Sequence, residues 1–392
     1  MTASASTGQR FASAYNSLPV TQAAIDRACS EIETQLKGQP ADLVFVFITA
    51  EHCRDDVGQQ IRKRLGPQAQ LLGASAEGVI GTGIELEAGP ALSLWAAALP
   101  GMRVEPFHVT FSRTPDGIAS TGMPAAETTP FKPTVAFLLG DAFSTAVDSV
   151  IEIFAEEFPG LALLGGMASS GQEPGENRIY LNDDCHTHGA VGLLLGNVRV
   201  QAIVSQGCRP VGRPFVVTKA KKNLVFELGG LPAPERLRES FGEMTGDEQR
   251  LFQRGPFVGL AVNEYQEEFK RGDFLIANLI GVDPEHEVIA ISNLVRTGQT
   301  VQFHVRDAAT ADEDLRLLLK ESLADGPARG ALVFSCNGRG SRMFPEPHHD
   351  AAVLGELVGP IPAAGFFAQG ELGPLSGRNH MHGFTASIAL FD

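Results

Sequence analysis

The chain has 392 residues, of which 43% are hydrophobic and 20% are charged, so it is long enough for two or three ordinary domains. Its formal net charge of −15 argues against a nucleic-acid or anionic-membrane surface, because either would need a basic face. No window approaches the ~20 apolar residues of a membrane span, and the N-terminus lacks the apolar core of a secretory signal. The five cysteines form no CxxC pair, so we predict a cytoplasmic protein with reduced thiols.

Residues 1–40 are predicted to form a lead-in with one amphipathic helix. Apolar residues recur there at helical spacing, at Ala24, Ile25, Ala28, Ile32 and Leu36. A strand-like apolar run then begins at Asp42, and two aspartates open a predicted helix near residues 55–65. A second apolar run, LLGASAEG, begins at Leu71, and a third begins at Leu92.

This order of apolar run, helix and apolar run occurs three times in the chain. The second copy begins with TVAFLLGDA at Thr134, and the third begins with ALVFSCNGRG at Ala331. The second apolar run of each copy contains a comparable glycine, at Gly73, Gly165 and Gly365. Each copy has the length of a strand-helix-strand unit, which predicts the same strand order and direction in all three. The loops after these glycines should therefore be equivalent, with the third copy lining the deeper pocket.

A change in composition near Gly229, from Gly and Pro into a charged helix, marks a predicted domain boundary. It divides the chain into one domain at 41–229 and another at 230–392. The second half opens with strand-like runs at Phe257–Val262, Phe274–Ile280, Val288–Ile291 and Val301–Val305. Strands that alternate with helices, some joined by short turns, predict an α/β (α+β) fold. Its mixed sheets would be flanked by helices and built from repeated strand-helix-strand units in two related domains.

The segment SCNGRG is the strongest candidate for a functional loop. It places five residues where an apolar strand ends, at Cys336, Asn337, Gly338, Arg339 and Gly340. Sheets of α/β proteins bind ligands at this end of their strands. The glycines permit close backbone approach, Arg339 offers a planar fork that suits a carboxylate, and its charge would favour the thiolate of Cys336. The other interpretation is a tight turn with an inert cysteine and an arginine paired to a structural acid.

Glu371 follows in the second loop of the third copy, at a position comparable with residues 75–77 and 169–170 of the other copies. A carboxylate here would accept an ammonium group while Arg339 takes a carboxylate, a pair that suits an amino acid. Alternatively, Glu371 pairs with Arg339 and makes two adjacent loops rigid.

The remaining motifs predict no cofactor and no metal site. The histidine pairs lack the HExxH or CxxC context of a metal centre. The Gly-rich runs match neither a phosphate-binding loop nor a GxSxG nucleophile elbow.

Four segments of the second half, in this order and spacing, resemble the FIST family of F-box and intracellular signal transduction proteins. They are RGDFLIANLIGVD from Arg271, FHVRDAATADEDL, SCNGRG and GFFAQGELGP. The first half is similar to the family's N-terminal domain through LLGASAEGVIG, LLGGMASSG and GCRPVGRPFVVT. The resemblance implies a sensory module for a small ligand, with amino acids proposed, rather than a defined catalyst. The family pattern LHN-Q-T near the C-terminus keeps only His382 and Thr385 here, which adds His382 to the candidate site.

Three functional hypotheses follow from these observations. The first is a cytoplasmic sensor that binds a small molecule, such as an amino acid, with no nucleic-acid or membrane partner. The second is a cysteine-dependent hydrolase or transferase with Cys336 as nucleophile and His382 as base. The third is an interaction scaffold that binds a signalling protein.

Overall fold

The structure, a computed structural model, describes residues 8–115, 117–264, 269 and 272–392. Residues 1–7 of the predicted lead-in and Arg271 of the FIST-like segments lie outside the described residues. The helices are α1 (Thr21–Gln35), α2 (Val57–Leu65), α3 (Val147–Glu157), α4 (Ala233–Glu243), α5 (Gly246–Arg254), α6 (Ala308–Ser322) and α7 (His349–Val358).

The strands of the first half are β1 (Arg10–Asn16), β2 (Leu43–Thr49), β3 (Gln70–Ala76), β4 (Val79–Gly81), β5 (Ile84–Leu86), β6 (Leu92–Ala98), β7 (Arg103–Thr114), β8 (Gly117–Thr121), β9 (Val135–Asp141), β10 (Leu163–Ala168), β11 (Ile179–Leu181), β12 (Asp184–His186) and β13 (Ala190–Gly196). Those that follow are β14 (Val200–Gln206), β15 (Cys208–Lys221), β16 (Leu224–Leu228), β17 (Leu231–Pro232), β18 (Pro256–Ala261), β19 (Phe274–Asp283), β20 (Val288–Ile291), β21 (Thr300–Arg306), β22 (Gly330–Cys336), β23 (Ala363–Ala368), β24 (Glu371–Leu375), β25 (Arg378–His382) and β26 (Thr385–Phe391).

The chain forms two compact units that do not follow its two halves. The first unit takes the residues up to Ser205 together with Leu315–Met381 and Thr385–Asp392. The second takes Gln206–Asp314 together with His382–Phe384. The predicted fold class, mixed sheets covered by helices, is confirmed. The predicted sequence boundary near Gly229 stays a prediction.

The three copies lie in the first unit and have the same strand order and direction, as predicted. In each copy the first two strands are parallel and joined by a helix, and the last strand pairs antiparallel with the first. The resulting orders are β6-β2-β3, β13-β9-β10 and β26-β22-β23. A strand that precedes each copy extends the same edge of its sheet, as β1, β7 and β14 do.

Each copy also gives a hairpin to the sheet of another copy, which the sequence did not indicate. Hairpin β4–β5 of the first copy pairs with β23 of the third, and β24–β25 of the third pairs with β10 of the second. Hairpin β11–β12 of the second copy pairs with β3 of the first. The exchange is therefore cyclic, and backbone hydrogen bonds tie all three sheets together.

The repeated glycines have a steric reason. A Cβ atom on Gly73, Gly165 or Gly365 would lie 2.6, 2.0 or 1.9 Å from the carbonyl oxygen of the residue opposite on the parallel strand. These distances are well inside van der Waals contact, so a side chain would force the two strands apart. The same close approach in all three copies explains why each one carries glycine there.

The inner faces of the three sheets share one aromatic core. Phe47, Phe137, Phe334, Phe366 and Trp95 are fully buried in it, and burial of each such side chain contributes about 1.5–3 kcal/mol. The outer faces pack against helices, with α1 and α2 on the first sheet, α3 on the second, and α6 and α7 on the third.

The second unit contains an antiparallel sheet that closes on itself. Its order is β15-β21-β18-β19-β20-β16, and β15 also pairs with β16. Helices α4 and α5 contribute to its core through Ala233 and Phe252. Across both units, none of the helices in the described part of the chain is long and apolar enough to cross a membrane.

Candidate functional site

The loops that follow the second strand of each copy meet at one end of the aromatic core. The amide of Ser169 donates to the carbonyl of Ser75 at 3.1 Å, and the amide of Phe367 donates to the carbonyl of Gly78 at 3.0 Å. The Ser169 hydroxyl donates to the Phe367 carbonyl and accepts from the amide of Glu77 at 2.9 Å. Residues from all three copies thus form one junction, which the sequence did not indicate.

Beside this junction lies a fully buried ion pair, Arg339 with Asp350. Arg339 Nε donates to one carboxylate oxygen at 2.8 Å and Nη2 donates to the other at 2.7 Å. This bidentate geometry is the strong form of an arginine–carboxylate pair. Although burial alone would raise it, the Arg339 guanidinium holds the pKa of Asp350 well below its usual range. Two nitrogens of the Arg339 guanidinium, which could have bound a ligand carboxylate, therefore bind the structural acid Asp350 instead.

The ion pair is held by further contacts at the start of α7. Asp350 also accepts from the Ser335 hydroxyl at 2.7 Å and pairs with His349 Nδ1 at 3.0 Å. The guanidinium lies over the ring of Phe344 at 5.2 Å. A carboxylate in the first turn of a helix is favoured by the helix dipole. The position of Arg339 is therefore fixed from several sides.

Glu371 is the third fully buried ionisable residue of this region, after Arg339 and Asp350. Its Oε2 accepts from the hydroxyl of Thr385 at 2.8 Å and from the amide of Thr385 at 3.3 Å. Burial raises the pKa of Glu371 to about 8, and the lowering effects of Thr385, Arg339 and the Gly370 amide do not offset it. No direct ion pair joins Glu371 to Arg339 in the part of the chain that the structure describes.

One atom of each of these two side chains is left without a hydrogen bond. Arg339 Nη1 and Glu371 Oε1 are buried and have no partner among the described residues. The nearby Glu85 Oε2 is also without a partner among the described residues. Buried polar atoms are almost always paired, so these orphans indicate a place for another polar group. The orphan of Arg339 is a cationic donor and that of Glu371 is a carboxyl oxygen.

The other two copies show that the fold does not need a carboxyl group at Glu371. Glu371 pairs with Gly166 as Val79 pairs with Phe366 and as Ile179 pairs with Ala74, so these three positions are equivalent. Val79 and Ile179 belong to the shared apolar core, and Glu371 is buried just as completely. Placing a carboxyl group where valine and isoleucine suffice costs free energy. The repeated fold itself therefore gives no reason for a carboxyl group at this position.

Thr385 departs from its counterparts in the same way. The residues that face the ends of the first strands are Ala91 in the first copy, Gly189 in the second and Thr385 in the third. The third copy also has the longest connection between its first strand and its helix, residues 337–348, against 50–56 and 142–146. Its polar residues are therefore a local addition to a repeated scaffold.

Two glutamates of the first copy hold this long connection, and a third holds the start of α7. Glu77 pairs with Arg342, and Glu87 accepts from the amide and the hydroxyl of Ser341 at 3.0 and 2.7 Å. Glu85 Oε1 accepts from the amide of Ala351 at 3.0 Å. Burial raises the pKa of Glu85 to about 8, with the nearby Asp350 acting in the same direction. Residues within and on either side of the hairpin β4–β5 thus fix the segment that carries Arg339.

The remaining predicted site residues lie in different surroundings. Cys336 ends β22 and is buried, and its Sγ accepts from the Gly338 amide at 3.4 Å. The carbonyl of Asn337 accepts from Arg342 at 2.7 Å, and Gly340 has φ +55° beside the Glu87 carboxylate. Cys336, Asn337 and Gly340 therefore belong to the same copy as Arg339 and Glu371.

His382 belongs to the second compact unit, where it is 4% exposed. The cysteine-nucleophile hypothesis stays a hypothesis.

The structure corrects one detail of the sequence comparison and adds residues that it missed. By strand register, Gln369 rather than Glu371 is the counterpart of Glu77 and Ser169. Asp350 and Thr385 were not assigned to the site. A signal for Glu371 was present, because it lies as far beyond Gly365 as Val79 lies beyond Gly73.

A cavity of about 520 Å³ lies elsewhere in the first unit, between α3 and the turn that joins β24 to β25. Phe158 and His380 are among the residues that line it. The expectation that the third copy lines the deeper pocket stays a prediction.

Comparison with known proteins gives a consistent match over nearly the whole chain. A model of the FIST N domain matches residues 42–231, and a model of the FIST C domain matches residues 233–374. The uncharacterized protein MT0656 of Mycobacterium tuberculosis is 41% identical over 376 residues, which cover 95% of this chain and 96% of that protein. The uncharacterized protein Mb0898c of Mycobacterium bovis is 40% identical over 374 residues, which cover 94% of this chain and 95% of that protein.

Proposed function

The chain belongs to the FIST family, whose domains are sensory domains of signal transduction, and we propose that it is a cytoplasmic sensor for an amino acid. The ligand would occupy the buried cluster of the third copy. The observation that carries this proposal is the pair of orphan atoms, Arg339 Nη1 and Glu371 Oε1. A buried donor and a buried acceptor of this kind match the carboxylate and the ammonium group of one amino acid.

The supporting contrast is internal to the molecule. The two other copies have Val79 and Ile179 where the third has Glu371, and Ala91 and Gly189 where it has Thr385. Selection for stability alone favours the apolar choice, because a buried carboxyl group is costly. The presence of the polar pair in the third copy alone supports binding of a polar ligand.

Access to the cluster would require movement of the connection at residues 337–348, because Arg339 and Glu371 are fully buried. Its ties to the first copy include an exposed pair, Arg342 with Glu77, whose side chains are 55% and 38% exposed. Exposed pairs contribute at most about 1 kcal/mol. We infer that this connection opens to admit the ligand, and that the change of its conformation is the output signal.

Isothermal titration of the folded protein against the twenty amino acids tests the proposal. Arg339→Ala is an unsuitable control, because it would leave Asp350 buried without its cation. The variant Glu371→Val copies Val79 of the first copy and is expected to fold and to lose amino-acid binding. Glu31→Gln, at an exposed position on α1, should bind like the parent. Absence of binding by every amino acid to ligand-free folded protein would refute the amino-acid proposal.

A further inference from the structure

The charges around Glu371 do not balance if its side chain is ionised. Arg339 is the cation that acts on Glu371, but its charge is already matched by the bidentate carboxylate of Asp350. Thr385 contributes only neutral hydrogen bonds. A carboxylate that is fully buried without a cation of its own is less stable than the protonated acid. Glu371 therefore rests in the protonated form.

Other ionisable groups in the cluster do not change this conclusion. Asp350 and Cys336 lie near Arg339 and interact electrostatically with its positive charge. Glu85 is a second buried acid, next to Asp350 at the start of α7, and its Oε2 has no partner among the described residues. Cys336, Asp350 and Glu85 each add negative charge or none. The groups that bring positive charge, Arg339 and His349, both pair with Asp350, so a bound ammonium group would add a new cation beside Glu371.

Building on the proposed amino-acid site, we infer that Glu371 selects for an ammonium group by exchanging its own proton for it. On binding, the O–H bond of the Glu371 carboxyl group breaks and its proton passes to the solvent. The carboxylate that remains forms an ion pair with the –NH₃⁺ group of the amino acid, which keeps all its protons. No covalent bond forms, and no electron is transferred.

The proton count follows from the geometry and the titration range of the group. With its pKa raised to about 8, Glu371 is mostly protonated at pH 7. Binding of an amino acid should therefore release close to one proton at pH 7 and clearly less at pH 9. A 2-hydroxy acid has the same carboxylate but no cation, so its hydroxyl can face the protonated Glu371 without proton release.

Two matched pairs of probes test the inference, L-alanine with L-lactate and L-phenylalanine with L-phenyllactate. Calorimetric titrations at pH 7 in phosphate and in Tris, whose ionisation enthalpies differ, give the number of protons released per bound molecule. We expect close to one proton for each amino acid that binds and none for the hydroxy acids. Glu371→Gln should weaken amino-acid binding at least tenfold, spare hydroxy-acid binding and abolish proton release.

Glu31→Gln, the same carboxyl-to-amide change at an exposed position on α1 outside the cluster, is the matched control. This variant should retain both amino-acid binding and proton release. Amino-acid binding without proton release, or full release in Glu371→Gln, would overturn the inference and leave the proposed function intact. Failure of every amino acid to bind to folded protein would refute the proposed function, and the inference with it.

Discussion

Replacement of Asp350 by Asn should destabilise the first unit by about 3–5 kcal/mol, because it removes one partner of a buried ion pair. Asn has the shape of Asp but no charge, so Arg339 would remain fully buried as an uncompensated cation. The bidentate contacts at 2.8 and 2.7 Å would also lose one acceptor oxygen. Both effects act in the folded state and neither has a counterpart in the unfolded chain.

The single tryptophan gives a local assay for this effect. Trp95 is fully buried in the shared core of the first unit, so its fluorescence during urea unfolding reports on that unit. The exposed pair of Arg27 with Glu31, whose side chains are 60% and 41% exposed, supplies the control. Arg27→Ala should cost less than about 1 kcal/mol.

A double variant tests whether the cost of Asp350→Asn arises from the unpaired charge that it leaves on Arg339. The double replacement Arg339→Met with Asp350→Leu removes both charges together and should recover most of the stability that Asp350→Asn loses. A cost below about 1 kcal/mol for Asp350→Asn would refute the buried ion pair. So would a double variant less stable than the single one.

Two further predictions concern pH and the repeated glycines. Because the pKa of Glu371 is raised to about 8 from 4.5, the folded protein keeps a proton that the unfolded chain releases, so the free energy of unfolding falls as pH rises between these values. Urea unfolding from pH 5 to pH 9 should show a smaller fall in the Glu371→Gln variant than in the parent. Parallel curves for the two proteins would contradict the buried acid. Gly365→Ala should lower the free energy of unfolding by at least about 1–3 kcal/mol, since its Cβ would lie 1.9 Å from a backbone oxygen. Gly355→Ala, in open space on α7, is the control and should be neutral or stabilise by up to about 1 kcal/mol. Equal effects of the two substitutions would argue against the close strand approach.

The sequence was sufficient to predict the repeat because each copy carries its own local signals. The helix near Val147 is visible as a stripe of apolar residues, and its strands as apolar runs between glycine-rich loops. The glycine positions were visible too, and their shared cause is the close approach of the parallel strands. These are properties of short segments, which local sequence patterns describe well.

The sequence could not predict how the copies join. Strands β4 and β5 have three residues each, and their partner β23 belongs to a copy that lies far along the chain. No local pattern specifies such a pairing. The same holds for Arg339, whose partner proved to be Asp350 at the start of α7 rather than Glu371 in the adjacent loop. Which acid an arginine selects depends on packing in three dimensions.

The most direct test of the account is thermal unfolding of a variant that carries the residues of the first copy at the site. The double variant Glu371→Val with Thr385→Ala copies Val79 and Ala91, and Trp95 fluorescence measures Tm with and without each amino acid. We predict that an amino acid raises the Tm of the parent. The variant should have a higher ligand-free Tm, because a buried carboxyl group is gone, and no ligand-induced shift. A variant that is less stable, or that still responds to the same amino acid, would contradict a ligand site built from these residues.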